Sequence, residues 1–285
     1  MKAEGAVLKS SNWIAGALHY LVLTLISVVM LIPFLWMVST SLKEPAKIFV
    51  FPPEFIPSAI RWANYTEVLN NTPFHLYYFN SVYIAVVVTV GTAFFASLAG
   101  YSFARIPFKG RDLVFLLLLS TMMIPAEATA IPMFLFMRDL GFNNTHVPLI
   151  ALPIFGAEGA FGVFVMRQYF IAMPKDLEEA AMIDGCSRMR TFFEIMLPMA
   201  KPALASLTIF TFLTTWNDFF NPLIFINNRN LMTLPLALSL FTDEAGTAWN
   251  LLMSASVMVT LPLLLVFFFA QKQFIQGIAM TGLKE

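Results

Sequence analysis

Three carboxylates stand where carboxylates are costly. Glu127, Glu158 and Asp218 each interrupt an otherwise apolar run. A charge at the centre of a bilayer costs about 2.5–3.5 kcal/mol on insertion scales, so such a group faces a cavity, a partner helix or a pathway. Pro125 and Pro132 flank Glu127 and predict a kinked or broken helix whose freed backbone must be satisfied by protein or water. Glu158 sits among Gly156, Gly159 and Gly162, where another backbone could press close. Asp218 lies between Thr214 and Leu223, with Trp216, Asn217 and Asn221 as further polar groups. The chemistry open to these residues is lining or gating a solute pathway, bonding to neighbouring helices, or relaying protons. For a relay, no Lys, Arg or His inside the spans pairs with them. Catalytic and metal chemistry find no constellation: His19, His75 and His146 are far apart, and the single cysteine, Cys186, excludes an intrachain disulfide. No G-x-x-x-x-G-K-[ST], H-E-x-x-H or G-x-S-x-G occurs, so the chain is not expected to be an enzyme or to hydrolyse ATP.

The elements that must position these groups follow from composition. The chain has 285 residues, 59% of them hydrophobic and only 12% charged, where a soluble domain carries about a quarter charged residues. Net charge is zero, so no nucleic-acid footprint appears. Apolar runs of bilayer length predict an all-α integral membrane protein with six spans, at about 18–38, 81–103, 113–137, 147–166, 204–226 and 251–270. The first run is too long for a signal peptide and has no small-residue cleavage site, so it is read as a retained span. No linker, repeat or low-complexity tract divides residues 1–285, which are read as a single domain. In the second span Ala96 and Gly100 make a small-xxx-small pair, the pattern that lets helices approach closely in lipid. With both termini inside, the inner segments hold most of the Lys and Arg, and the outer ones only Lys43, Lys47, Arg61, Arg138 and Arg229. That bias puts both termini and the loop 174–201 in the cytoplasm.

That loop, Pro174 to Lys201, is the most charged part of the chain. Asp176 with Glu179 predicts a capping box, and Gly185 predicts the end of a helix of barely two turns. Leu177, Ala180, Ala181 and Asp184 fall on one side of it. A second helix is expected from Ser187 through Phe192, Phe193, Ile195 and Met196, broken by Pro198. A helix as short as the first is marginal alone, so a docking partner is expected.

The full spacing, Glu179-Ala180-Ala181, three residues, Gly185, nine residues, Ile195, one residue, Leu197-Pro198, resembles the EAA signature of ABC importer permeases. Gly100 to Arg105 with Phe108 to Arg111, Trp216 to Phe219 with Asn221 to Leu223, Thr233 to Leu236, and Gly246 to Leu251 are similar to segments of the carbohydrate, maltose-type subfamily. The resemblance implies a type I ABC importer transmembrane-domain fold. It implies a prokaryotic cell (inner) membrane and a sugar importer in which this subunit forms half the pathway. The implied partners are a second homologous permease subunit, two ATPase subunits and an extracellular or periplasmic solute-binding protein. ATP and Mg would be bound on the ATPases and no cofactor on this chain. Glu179, Ala180, Ala181, Asp184, Gly185, Ile195, Leu197 and Pro198 would then couple to an ATPase, with Glu178, Glu179 and Asp184 offering charge to its basic rim. Family precedent places Asn227, Asn228, Thr233, Leu234, Pro235 and Gly246 on the segment that meets the binding protein, and a C-terminal tail such as Thr281 to Glu285 can reach the ATPases. From the residues alone, an ion-coupled secondary carrier using Glu127, Glu158 or Asp218 is the alternative. A second half-repeat, which would favour it, is not found.

Overall fold

The computed structural model describes residues 2–243 and 246–282, with side chains described for 16–243 and 246–268. It divides into two compact units, residues 1–72 with 241–258, and residues 73–240 with 259–285.

The first unit opens with α1, Lys2–Ser41, whose long apolar run forms helix although Pro33 lies inside it. After a 3-10 turn at Pro45–Lys47 comes α2, Ala63–Asn71. Two short antiparallel strands, β1 Thr242–Asp243 and β2 Gly246–Thr247, lead into the start of α14, Trp249–Gly282. Where α1 ends, buried Asn64 donates to the carbonyls of Ser41 and Lys43 at 2.8 and 2.9 Å. Its own carbonyl oxygen accepts from Asn250, and Ser254 donates to the Ser41 carbonyl. Side-chain amides thus satisfy backbone groups that the end of a helix leaves open. Lys43, read from sequence as one of the basic residues of the outer segments, is 1% exposed and lies over the Trp36 ring at 4.0 Å. Burial pushes its ammonium below the usual lysine range, and nearby Glu54 opposes that shift.

The second unit is built on α3, Phe74–Arg105, and the segments packed on it. α4 (Arg111–Ser120) and a 3-10 turn to Met123 meet α5 (Ala126–Asp139) at a bend of 102°. α6 (Val147–Phe155) and α7 (Ala157–Ala172) follow, then the loop helix α8 (Asp176–Ile183) and the short α9 (Arg188–Thr191). A π turn at Phe192–Met196 runs into α10 (Leu197–Met199), which joins α11 (Lys201–Trp216) at 76°. α12 (Phe220–Phe225) and α13 (Leu234–Leu238) complete it.

Among the described residues, four helices or helix runs are long and apolar enough to cross a membrane: Gly16–Ser41, Phe74–Arg105, Val147–Ala172 and Trp249–Phe268. Counting each bent pair as one span brings the number to six. The break at Pro125 lies where the flanking prolines predict it. Pro198, by contrast, breaks nothing: the helix runs on to Met199 and turns at Ala200, and Pro202 then occupies the first turn of α11, where no N–H is missed.

The closest packing is between α3 and α7. A Cβ on Gly100 would lie 2.7 Å from Met166 Cβ and 2.8 Å from the Arg167 nitrogen, and one on Gly162 would lie 2.9 Å from Ala96 Cβ. The small residues of α3 therefore meet backbone, as the small-xxx-small pattern predicts. Below that contact, Tyr101, Phe103, Phe115, Met166, Phe170, Phe192 and Met196 form a buried cluster under the loop helices.

Candidate functional site

The loop helix α8 starts after Pro174 and carries Asp176, Glu178 and Glu179 in its first turn, the favourable sign at the positive end of a helix. The expected capping box does not form. Asp176 is already helical, Lys175 takes the cap position and no side chain caps the turn; the Lys175 carbonyl accepts from the Glu178 and Glu179 nitrogens instead. The other end is as the glycine predicts. Gly185 has φ +78°, its nitrogen donates to the Met182 carbonyl at 3.1 Å, and the Cys186 nitrogen donates to the Ala181 carbonyl at 2.9 Å. These two bonds make a Schellman motif. A Cβ at Gly185 would meet nothing within 4 Å, so the demand for glycine comes from backbone conformation and not from space. Ser187 then caps α9, accepting from the Arg190 nitrogen at 3.3 Å.

The EAA triplet splits across the helix. Ala181 is buried at 3%, whereas Glu179, Ala180, Asp184 and Gly185 are exposed, together with Met182 and Ile183, the last at 86%. Ile195 and Leu197 are half-buried and Pro198 exposed. Glu178 corrects the sequence reading, because it faces inward. Its Oε1 accepts from the Tyr101 hydroxyl at 2.7 Å, and its Oε2 lies 3.1 Å from Arg105 Nε, the two side chains being 13% and 7% exposed. Its charge is spent inside the chain, and of these three acids only Glu179 and Asp184 stay exposed. Arg105 also donates to the carbonyl of Met173, just past α7, at 2.6 Å. Beside it, Arg167 stands over the Phe115 ring at 4.1 Å and 3.7 Å from Asp112. Sequence reading missed Tyr101 and Arg105 as site residues. Their four-residue spacing at the end of a span, with an acid two residues past the start of the loop helix, was the available signal.

Away from the loop, the three mid-chain acids share one feature: each stands where a helix resumes after a break. Glu127 is in the first turn of α5, Glu158 in the first turn of α7, and Asp218 precedes α12. A cavity of about 340 Å³ between the α4–α5 bend, the α6–α7 break and α12 is lined by Glu158 and Asn221 among largely apolar neighbours. Asp218 is outside its wall but holds Asn221, accepting from its backbone nitrogen at 3.1 Å and its side-chain amide at 2.8 Å. Glu127 is exposed and apart from the cavity. Trp216, 1% exposed and stacked on Phe212, and Asn217, bonded to the Leu213 carbonyl, do not reach it either.

At the opposite end of α3, exposed Asn227 and Asn228 donate their backbone nitrogens to the Asn144 side chain at 3.0 and 2.9 Å. Thr233 and Leu234 are buried at 6% and 0%, which withdraws them as surface contacts. The exposed surface of this stretch is Asn227 to Asn230, and Pro235 is half-buried. Gly246 is exposed with φ +129°. Of the tail, the side chains from Thr281 onward lie outside the described residues.

The family described as "binding-protein-dependent transport system inner membrane component" matches residues 93–280. The chain belongs to that family. It is an ABC importer permease of the type I fold. The permease is 36% identical over 233 residues to the arabinooligosaccharides transport system permease protein AraQ of Bacillus subtilis, covering 80% of each chain. It is 34% identical over 281 residues, 98% of each chain, to the trehalose/maltose transport system permease protein MalG of Thermococcus litoralis. A chain of a bacterial ABC transporter involved in the import of the acidic polysaccharide alginate superposes with a TM-score of 0.79 at 25% identity, over 92% of the permease and 97% of that chain.

Proposed function

We propose that this permease forms half of the transmembrane pathway of an ATP-driven, binding-protein-dependent sugar importer. It works with a second homologous permease, two ATPase subunits that bind ATP and Mg, and a solute-binding protein. It has no hydrolytic role of its own. The cytoplasmic face is the one carrying α8, both termini lie on that side, and the membrane is a prokaryotic cell membrane.

The observation that carries this reading is the shape of α8. A two-turn helix, closed by a left-handed glycine, offers Glu179, Ala180, Met182 and Ile183 outward while Ala181 and Glu178 anchor it inward. Exposed Met182 and Ile183 on a charged loop are suited to filling an apolar cleft in a partner, with the acids at its rim. Seated there, α8 moves with the ATPase, and the cavity beside Glu158 opens to alternate sides as the helices tilt. The names of the relatives support a carbohydrate as the solute. Purification from the native membrane tests this: an ATPase and a second permease should copurify, and solute-loaded binding protein should stimulate ATP hydrolysis in vesicles. Uptake by the isolated chain, driven by a proton or sodium gradient, would overturn it in favour of an ion-coupled carrier.

A further inference from the structure

We propose that α3 is the transmission rod of the importer, latched to the loop helix at one end by Tyr101 and Arg105 and clasped to the segment Asn230–Leu234 at the other by Asn80 and Ser81. The proposal rests on the function just given and adds the route by which its two partner surfaces are joined.

The latch stands on geometry. α8 is joined to the chain at Pro174 on one side and at Gly185 on the other. What fixes it is Glu178, held by the hydroxyl of Tyr101 and the guanidinium of Arg105. These two residues are four apart and so share a face in the last turn of α3. Because Arg105 also holds the Met173 carbonyl, one guanidinium gathers the ends of α3, α7 and α8. The rings of Phe170 and Phe192 lie 5.6 and 5.1 Å from that of Tyr101 and pack against it on one side, while a small cavity of about 80 Å³ lined by Tyr101, Arg105 and Glu178 lies on the other. In such surroundings a charge-assisted bond is strong and its loss costly.

The clasp at the far end is equally direct. The Asn80 amide donates to the carbonyls of Asn230 and Met232, both at 2.9 Å, and the Leu234 nitrogen donates to the Ser81 hydroxyl at 2.8 Å. Asn80 and Ser81 are 6% and 4% exposed. The segment they hold is continuous with exposed Asn227 and Asn228, the surface assigned to the binding protein.

Between latch and clasp α3 is one unbroken helix. Ser81 to Tyr101 rises about 30 Å, close to the thickness of a bilayer core. Among the described spans α3 alone has no proline: α1 contains Pro33, the α4–α5 pair Pro125 and Pro132, the α6–α7 run Pro153, the α10–α11 pair Pro198 and Pro202, and α14 Pro262. Prolines and breaks let a helix bend. A helix without them, braced along its length by α7, moves as a piece.

The test uses the whole importer in vesicles, reading ATP hydrolysis with and without loaded binding protein, and uptake. Tyr101→Phe and Asn80→Ala should each cut the stimulation by binding protein about tenfold, the equilibrium equivalent of one charge-assisted or buried hydrogen bond, and in Asn80→Ala hydrolysis without binding protein should be unchanged. The double variant should be no worse than the poorer single one, since one rod has been disconnected twice. Arg105→Glu combined with Glu178→Arg should recover part of what Arg105→Glu loses. Val90→Gly, at a position midway along the helix that is 63% exposed, removes little packing but softens the helix and should also lower stimulation. Full stimulation in Tyr101→Phe or Val90→Gly, or a double variant that loses the product of the two single losses, overturns the proposal. A wild-type complex in which no ATPase assembles would instead remove the function on which it rests, and the proposal with it.

Discussion

The loop end of the second unit and its middle treat charge in opposite ways. At the loop end Glu178, Arg105, Arg167 and Asp112 are all paired, and the buried carboxylate of Glu178 has both oxygens engaged. In the middle, Glu127 and Glu158 are exposed and make no hydrogen bond or ion pair among the described residues. The first arrangement is a joint: side chains paired across the ends of α3, α7 and α8 hold one geometry. The second leaves carboxylates beside a cavity and at helix breaks, with no partner among the described residues to fix their geometry. A transporter needs both, a stiff end to receive displacement and an adaptable middle to be displaced.

That contrast can be broken at either end. The largest effect is expected from Gly185→Val, which forces a β-branched residue into φ +78°. The penalty is about 1–2 kcal/mol or more, falls on a two-turn helix with little stability of its own, and should bring uptake to background while the spans still insert. Arg105→Leu should come next, because it leaves Glu178 buried without its cation, at a cost of about 3–5 kcal/mol for a fully buried pair. Thermal unfolding in detergent should drop sharply, and Glu178→Gln in the same chain should restore part of the loss. Gly100→Ala tests the packing that carries the joint upward. Its Cβ would strike the backbone at Arg167, an overpacking of about 1–3 kcal/mol, read as a lower midpoint with both partners still bound. The smallest effect belongs to the middle. Asp218→Asn keeps an acceptor for the Asn221 nitrogen, so it should cost under about 1 kcal/mol of stability while slowing uptake measurably in vesicles. An unchanged rate would take Asp218 out of the transport cycle.

How much of this was readable in the sequence follows the range of the forces involved. The spans were legible because burial in lipid acts on every residue of a run, and the bend at Pro125 and the end of α8 at Gly185 were legible because both are local backbone effects. The Ala96–Gly100 pair marked α3 as a helix that another could approach closely, but not that α7 is the one. Local rules failed where they competed. Asp176 and Lys175 both could take the cap, and Pro198 directly follows a π turn through which the helix runs on past it. The inward turn of Glu178 was illegible because three adjacent or near-adjacent acids look alike until Tyr101 and Arg105, more than seventy residues earlier, are placed beside one of them. The same holds for Asn64, whose partners at Ser41, Lys43 and Asn250 carry no common period.

The central claim is that α8 delivers the push of an ATP-hydrolysing partner. With Cys186 replaced by serine and a cysteine placed at Ile183, the most exposed apolar position of that helix, a short bifunctional reagent applied to native membranes should join the permease to an ATPase subunit. Crosslinks formed only to lipid, or only by reagents confined to the outer face, would contradict the account.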